Sequence, residues 1–212
     1  LYTAPHEVPL LGPLRVQAAD GVYALLDGCF PDVSSGAGEL RVRAVGLSPG
    51  LRFVSEVQSP VTVNALVTNV RSESARITGA RRTDAGVDVN AVRLAVDLPP
   101  GGRSDVRVMP PKDDGAFSFY VVGDNGDAQL SLENVFGAAG REGPAFVFNV
   151  GDLVEGGDAE SLARQAELAS ECPVPYFVAL GNHDVDRGTR SGRVHARLFG
   201  PSYYSCLLYT SD

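Results

Sequence analysis

Three apolar runs with the same ending constrain this chain more than any other feature: AFSFYVVGD over 116–124, PAFVFNVGD over 144–152 and VPYFVALGN over 174–182. Each has the length and near-continuous apolarity of a parallel strand buried on both faces. Between them the period changes. After Asp127, which stands where an N-cap belongs, Leu132, Val135, Phe136 and Ala139 recur at helical spacing. DAESLARQAELASE over 158–171 reads as a second helix capped by Asp158, with Leu162, Ala166 and Ala169 on one face and Cys172-Pro173 as its stop. The order β-α-β-α-β implies right-handed crossovers and a parallel sheet.

In such a sheet the carboxyl ends of the strands lie along one edge, where open α/β sheets take their ligands. Asp124, Asp152 and Asn182 are therefore expected to converge. A glycine precedes each of them, relieving the backbone at a sharp exit and permitting close approach of a ligand. Oxygen donors on neighbouring strand ends suit a pair of hard or borderline cations, one carboxylate bridging them and the others holding each ion singly. Gly-Asp and Gly-Asn are also ordinary turn dipeptides after strands. Three in register, the last running on into His183 and Asp184, favour the site.

The series Gly123-Asp124, Gly151-Asp152 and Gly181-Asn182-His183-Asp184 resembles the first three motifs of the calcineurin-like metallophosphoesterase superfamily. LFGPSYYS over 198–205 is similar to the segment that follows them in many bacterial members. The resemblance covers 117–205 and implies an α/β fold, an α-β-β-α sandwich, with two metal ions at its strand ends and phosphate mono- or diesters as substrates. Carried onto this chain, it makes Asp124 a ligand of the first metal, Asp152 the bridge and Asn182 a ligand of the second. Two divalent or trivalent ions are implied, Mn, Fe or Mg favoured and Zn the alternative, because Gly126 stands where most members have an imidazole. His183, just outside the metal shell, is the candidate general acid for the leaving alkoxide.

Purple acid phosphatases also have Gly at that position and place a Tyr three residues after the bridging Asp. Here that residue is Glu155: a metal ligand, a partner that orients His183, or a solvated carboxylate on a loop loosened by Gly156-Gly157. The family's later histidine motifs would follow Tyr204-Ser205, so 117–205 is expected to be the N-terminal part of the domain, and the 212-residue chain to be inactive and poorly folded in its second half. Of the other histidines, His6 lies near the start and His195 reads as a helix-surface residue on RVHARLF. Arg187, Arg190 and Arg193 read as a solvated loop rather than a phosphate grip.

Before Pro110-Pro111 the pattern is different. LRVQ, VYALL, ELRVRAV, RFVSEV, VTVNALVTNV, SARITGAR, AVRLAVDL and DVRVM are short strand-like runs separated by turn signals such as Ala-Asp-Gly and Pro-Pro-Gly-Gly. They read as an antiparallel sandwich of immunoglobulin or fibronectin type over 1–110, joined by a polar linker at 111–116. A sandwich ahead of the catalytic domain resembles the purple acid phosphatase arrangement, and an extracytoplasmic setting (secreted, periplasmic or surface-anchored) is expected with it.

With 44% hydrophobic and 21% charged residues the chain has the material for packed cores. A formal charge of −8 argues against a grip on a nucleic-acid backbone. No run of 18 apolar residues offers a transmembrane span. Cys29, Cys172 and Cys206 show no paired spacing. The tail CLLYTSD over 206–212 resembles read-through of a transposon end used in sequencing libraries and is set aside from fold reasoning. Leu1 is not an initiator Met, which leaves a leader or anchor upstream open. The sequence is thus expected to be a fragment of a phosphate-ester hydrolase, with oligomeric state and exact substrate unmarked. The alternative is a non-catalytic extracellular binding protein in which a degenerate phosphoesterase domain supports the sandwich, a reading that Gly126 favours.

Overall fold

The computed structural model describes residues 14–32, 38–73, 75–83, 90–110 and 116–202. His6, most of the 111–116 linker, the end of LFGPSYYS and the 206–212 tail lie outside them. Among the described residues the first half is built of strands: β1 (Leu14–Ala19), β2 (Val22–Asp27), β3 (Cys29–Pro31), β4 (Leu40–Ala44), β5 (Gly50–Ser55), β6 (Val61–Thr68), β7 (Arg76–Thr78), β8 (Arg81–Arg82), β9 (Ala91–Leu98) and β10 (Arg103–Met109). They form two five-stranded sheets, in the orders β1-β2-β5-β10-β7 and β3-β4-β6-β9-β8.

Alternation sets which face of each strand is buried. In β2, Val22, Ala24 and Leu26 point inward while Asp27 is exposed, and β4 repeats the pattern with Leu40, Val42 and Ala44. The inward sets of both sheets meet in one core, Leu51, Phe53 and Val106 from the first facing Val42, Val67 and Leu94 from the second. Each such side chain, fully buried, contributes about 1.5–3 kcal/mol of transfer free energy. The sandwich is not wholly antiparallel as expected: β4 runs parallel to β6, with Leu40 opposite Ala65. Between them the chain passes through β5 in the other sheet, and that crossover is what lets it return in the same direction.

The second half contains β11 (Tyr120–Val122), α1 (Gln129–Glu142), β12 (Val147–Asn149), α2 (Ala159–Ser170), β13 (Tyr176–Val178) and α3 (Arg193–Phe199). Its strands are parallel in the order β11-β12-β13, with Tyr120, Val147 and Tyr176 in register. Leu132, Phe136 and Ala139 of α1 and Leu162, Leu168 and Ala169 of α2 pack with Val147, Tyr176 and Val178. Asp158 caps α2, accepting the Glu160 and Ser161 amides at 3.1 and 2.9 Å. Asp127 does not cap α1. Ala128 holds that position without a side-chain bond, because the Asp127 carboxylate is turned to the Glu155 amide at 3.2 Å.

Burial on both faces, expected of all three runs, fits β13, where every residue is buried. It fails for the first run, whose strand β11 lies at the sheet edge: Val121 is 57% exposed, and Phe117 and Phe119 just before the strand are each 47% exposed. Phe119 stacks on Phe146 at 5.0 Å, and Phe146 leans on Phe177 at 5.7 Å, so an aromatic row crosses this sheet.

The two halves are joined by polar side chains of the sandwich. Arg43 and Asn69 bond the main chain of Tyr176, and Asn90 donates to the Cys172 carbonyl. Among the described residues no helix is long and apolar enough to cross a membrane.

Candidate active site

The loops that leave β11 and β12 are laced together by their backbones. The Asp124 amide donates to the Gly151 carbonyl at 3.0 Å, the Asn125 and Gly126 amides to the Asp152 carbonyl at 2.9 and 3.2 Å, and the Asp127 amide to the Leu153 carbonyl at 3.1 Å. The loop after β13 is tied in by Asp184, whose side chain is only 1% exposed. One of its oxygens accepts the Leu153 and Val154 amides at 2.7 and 3.3 Å, the other the Asp152 and Gly181 amides at 3.0 and 2.9 Å. Asp152 returns the link, its Oδ1 accepting the His183 amide at 2.8 Å. The strand ends bearing Asp124, Asp152 and Asn182 thus form one continuous edge.

Glycine is needed here for backbone packing. A Cβ on Gly151, at φ 105°, would stand 2.5 Å from the Gly181 nitrogen, and one on Gly181 would stand 2.1 Å from the Asp152 nitrogen. The close approach anticipated for a ligand is taken up by the neighbouring loop. Beyond these glycines Asp124 and Asp152 sit at φ 54° and 55°, a left-handed backbone that costs an L-residue about 1–2 kcal/mol. The two loops thus carry the same backbone strain at equivalent positions, held in place by the bonds between them.

His183 and Glu155 are brought together. His183 Nδ1 lies 3.2 Å from the Glu155 carbonyl oxygen and 3.8 Å from its carboxylate Oε2. The other carboxylate oxygen lies 2.6 Å from where a Cβ on Gly126 would stand, so Glu155 fills the space that a side chain at 126 would enter. Arg187 donates to the Glu155 carbonyl as well, which fixes this loop from the far side.

His195 is not on the helix surface. It is fully buried on α3, 5.1 Å from the Phe199 ring, and neither ring nitrogen has a hydrogen-bond partner among the described residues. Burial pushes its pKa down to about 4, against the opposing pull of the Asp184 charge and of the nearby Ala179 carbonyl, which falls short of a hydrogen bond in geometry. Burial likewise raises the Cys29 and Cys172 thiols, to about 12 and about 11. Both are free and buried, and the raised values keep them as thiols at neutral pH.

Several supporting residues carry no sequence motif. Asn149, wholly buried at the end of β12, donates to Asn125 Oδ1 at 2.6 Å and to the Tyr176 hydroxyl at 2.8 Å, and accepts the Gly151 amide at 2.9 Å. A polar residue inside an apolar run was the available signal for it. Asp184 stands within the GNHD motif, yet nothing in the sequence marks it as the acceptor of four amides.

The oxygen donors Asp124, Asp152 and Asn182 fit a hard or borderline cation in kind. In number they supply part of a shell: among the described residues no group of three or more His, Cys, Asp or Glu side chains is placed to hold a metal ion. A cleft of about 870 Å³ lies elsewhere, between the sandwich and α2, lined by Arg43, Asn90, Glu167 and Arg197 among others and by none of the site residues.

Residues 117–209 match the family described as calcineurin-like phosphoesterase. Among solved structures, a purple acid phosphatase from yellow lupin (Lupinus luteus) seeds is similar at 12% identity and a TM-score of 0.39, over 77% of this chain and 40% of that one. A β-(1,4)-mannanase of Podospora anserina follows at 14% identity and a TM-score of 0.15, over 80% of this chain and 49% of that one. At such scores neither likeness assigns a fold or an activity. The chain spans well under two thirds of the length of either protein. No protein of curated function matches it. The family match to calcineurin-like phosphoesterases thus falls on the segment 117–209, whose three glycine-led strand ends are brought to one edge.

Proposed function

We propose that this strand-end edge hydrolyses phosphate mono- or diesters with a dinuclear metal centre, Asp124 holding one ion, Asn182 the other and Asp152 both. The observation that carries the reading is the central place of Asp152, laced by its backbone to the Asp124 loop and by its side chain to the His183 amide. One carboxylate oxygen is engaged there, and the other has no hydrogen-bond donor among the described residues. Bound metal would neutralise charge on the phosphoryl oxygens and supply hydroxide at neutral pH. His183 is the general acid for the leaving oxygen. With Nδ1 toward the Glu155 carbonyl, its Nε2 is the nitrogen left to exchange a proton. Glu155 holds that ring and, lying against Gly126, doubles as a further oxygen donor for the first ion.

A second reading, binding without catalysis, is favoured by the incomplete donor group and by Gly126. Mn²⁺ titration of the chain, followed by assay on nitrophenyl phosphate mono- and diesters, separates the two. Asp152→Ala should weaken Mn²⁺ binding at least tenfold and, once the family's later histidine motifs are supplied, remove most Mn²⁺-dependent turnover, and Glu155→Gln should weaken binding less. Wild-type Mn²⁺ affinity in Asp152→Ala rejects the centre. Folded protein that binds Mn²⁺ but never turns over, even when the family's later histidine motifs are supplied, supports the second reading.

A further inference from the structure

Asn69 belongs to the sandwich, just after β6, but its carboxamide works in the other half of the molecule. It sits at φ 62° and is buried. Its Oδ1 accepts the Tyr176 amide at 2.7 Å, and Nδ2 donates to the Tyr176 carbonyl at 3.0 Å and to the Ala44 carbonyl at 2.8 Å. Tyr176 opens β13, which ends the order β11-β12-β13, so these are main-chain groups that a further strand would otherwise satisfy. Arg43 adds a second donor to the same carbonyl at 3.1 Å. The Tyr176 side chain continues inward to Asn149, whose carboxamide holds Asn125 and the Gly151 amide. Asn149 and Tyr176 are buried, and the Asn149 carboxamide is bonded through both its nitrogen and its oxygen, so removing one partner leaves a polar group poorly satisfied away from water.

We propose that the sandwich is a working part of the candidate site. Asn69 is a positioning residue that fixes β13 from outside its sheet, and Tyr176 and Asn149 pass that constraint to the loops bearing Asp124 and Asp152. The consequence for metal rests on the reading proposed above, whereas the constraint itself does not.

The test compares the 212-residue chain with two variants. Asn69→Gly keeps the left-handed backbone and removes the carboxamide, and Tyr176→Phe keeps the Asn69 bonds and removes the hydroxyl. Amide hydrogen exchange in metal-free protein should quicken at least tenfold at Asn125 and Gly151 in both, while amides of β6 and β9 stay within twofold of wild type. The double variant should exchange no faster than the faster single one, because both substitutions cut one path. Mn²⁺ binding should weaken at least threefold in each. Unchanged exchange at Asn125 and Gly151, or additive acceleration in the double variant, overturns the proposal. Faster exchange in a protein that binds no Mn²⁺ even as wild type leaves the positioning role standing and rejects the metal reading alone. If Asn69→Gly also loosens β6 and β9, Tyr176→Phe decides by itself, and unchanged exchange there overturns the proposal.

Discussion

Asp184→Ala is expected to undo the strand-end edge while leaving the sandwich intact. Its carboxylate accepts four amides, those of Asp152, Leu153, Val154 and Gly181, which have no other acceptor among the described residues. A hydrogen bond to a charged group contributes about 1.5–3 kcal/mol net, so four taken independently would sum to roughly 6–12 kcal/mol. That sum is too large. The amides share two oxygens in pairs, the Val154 bond is long at 3.3 Å, and water can replace the carboxylate at the half-buried Asp152 and Gly181. Leu153 and Val154 are buried and stay unpaired, which brings the expected loss to about 3–5 kcal/mol, the range for breaking a buried charged partner. Asp184→Asn retains one acceptor oxygen and should fall between alanine and wild type. Amide exchange by mass spectrometry resolves the two halves: about 3 kcal/mol means at least hundredfold faster exchange over 151–154, with the β5 and β10 amides unchanged. Acceleration below threefold at Leu153 and Gly181 would show that Asp184 does not hold the edge.

What the sequence made legible was whatever repeats. The β-α-β-α-β order followed from apolar runs and helical periods, and the placing of the strand ends that bear Asp124, Asp152 and Asn182 along one edge followed from that order, because parallel strands must end together. Eight of the ten sandwich strands correspond to alternating runs; β3 and β8, of three and two residues, are too short to show a period. Burial of β11 was overestimated because apolarity in one run does not say whether a strand lies at the sheet's centre or its edge. His195 was misplaced for the opposite reason: Val194, Leu198 and Phe199 marked the apolar side of α3, and a lone imidazole among arginines was assigned to the wet side. The residues that set the edge, Asp184, Asn149, Tyr176 and Asn69, act through contacts between segments far apart in the chain. Asn69 reaches Tyr176 across 107 positions, and no local pattern encodes such a contact.

The remaining predictions concern a cap, a glycine and a buried imidazole. Asp158→Ala should lower stability by about 1 kcal/mol through loss of the α2 cap. The Ser161 amide bond is the main cause holding the Asp158 carboxyl below its ordinary range, so in wild type this contribution is present above that range and fades as pH falls through the lowered value; urea melts of both proteins across that window should converge. Gly126→Ala meets φ 50° and a Cβ 2.6 Å from the Glu155 carboxylate, and should cost about 1–2 kcal/mol while turning Glu155 away from His183, read as a changed His183 ring shift by NMR. His195 supplies the clearest pH signature. Its ordinary value of 6.5 falls to about 4 on burial, so between those values the unfolded chain binds a proton that the folded chain refuses. Stability contributed by this group is therefore complete above pH 6.5 and declines as pH falls toward about 4, a total of about 3 kcal/mol. His195→Leu removes both the titration and two unpaired buried nitrogens, so it should match wild type within about 1 kcal/mol at pH 7.5 and exceed it progressively at lower pH. Parallel stability curves for the two proteins from pH 7.5 to pH 4 would show that the imbalance of protons lies at some other group.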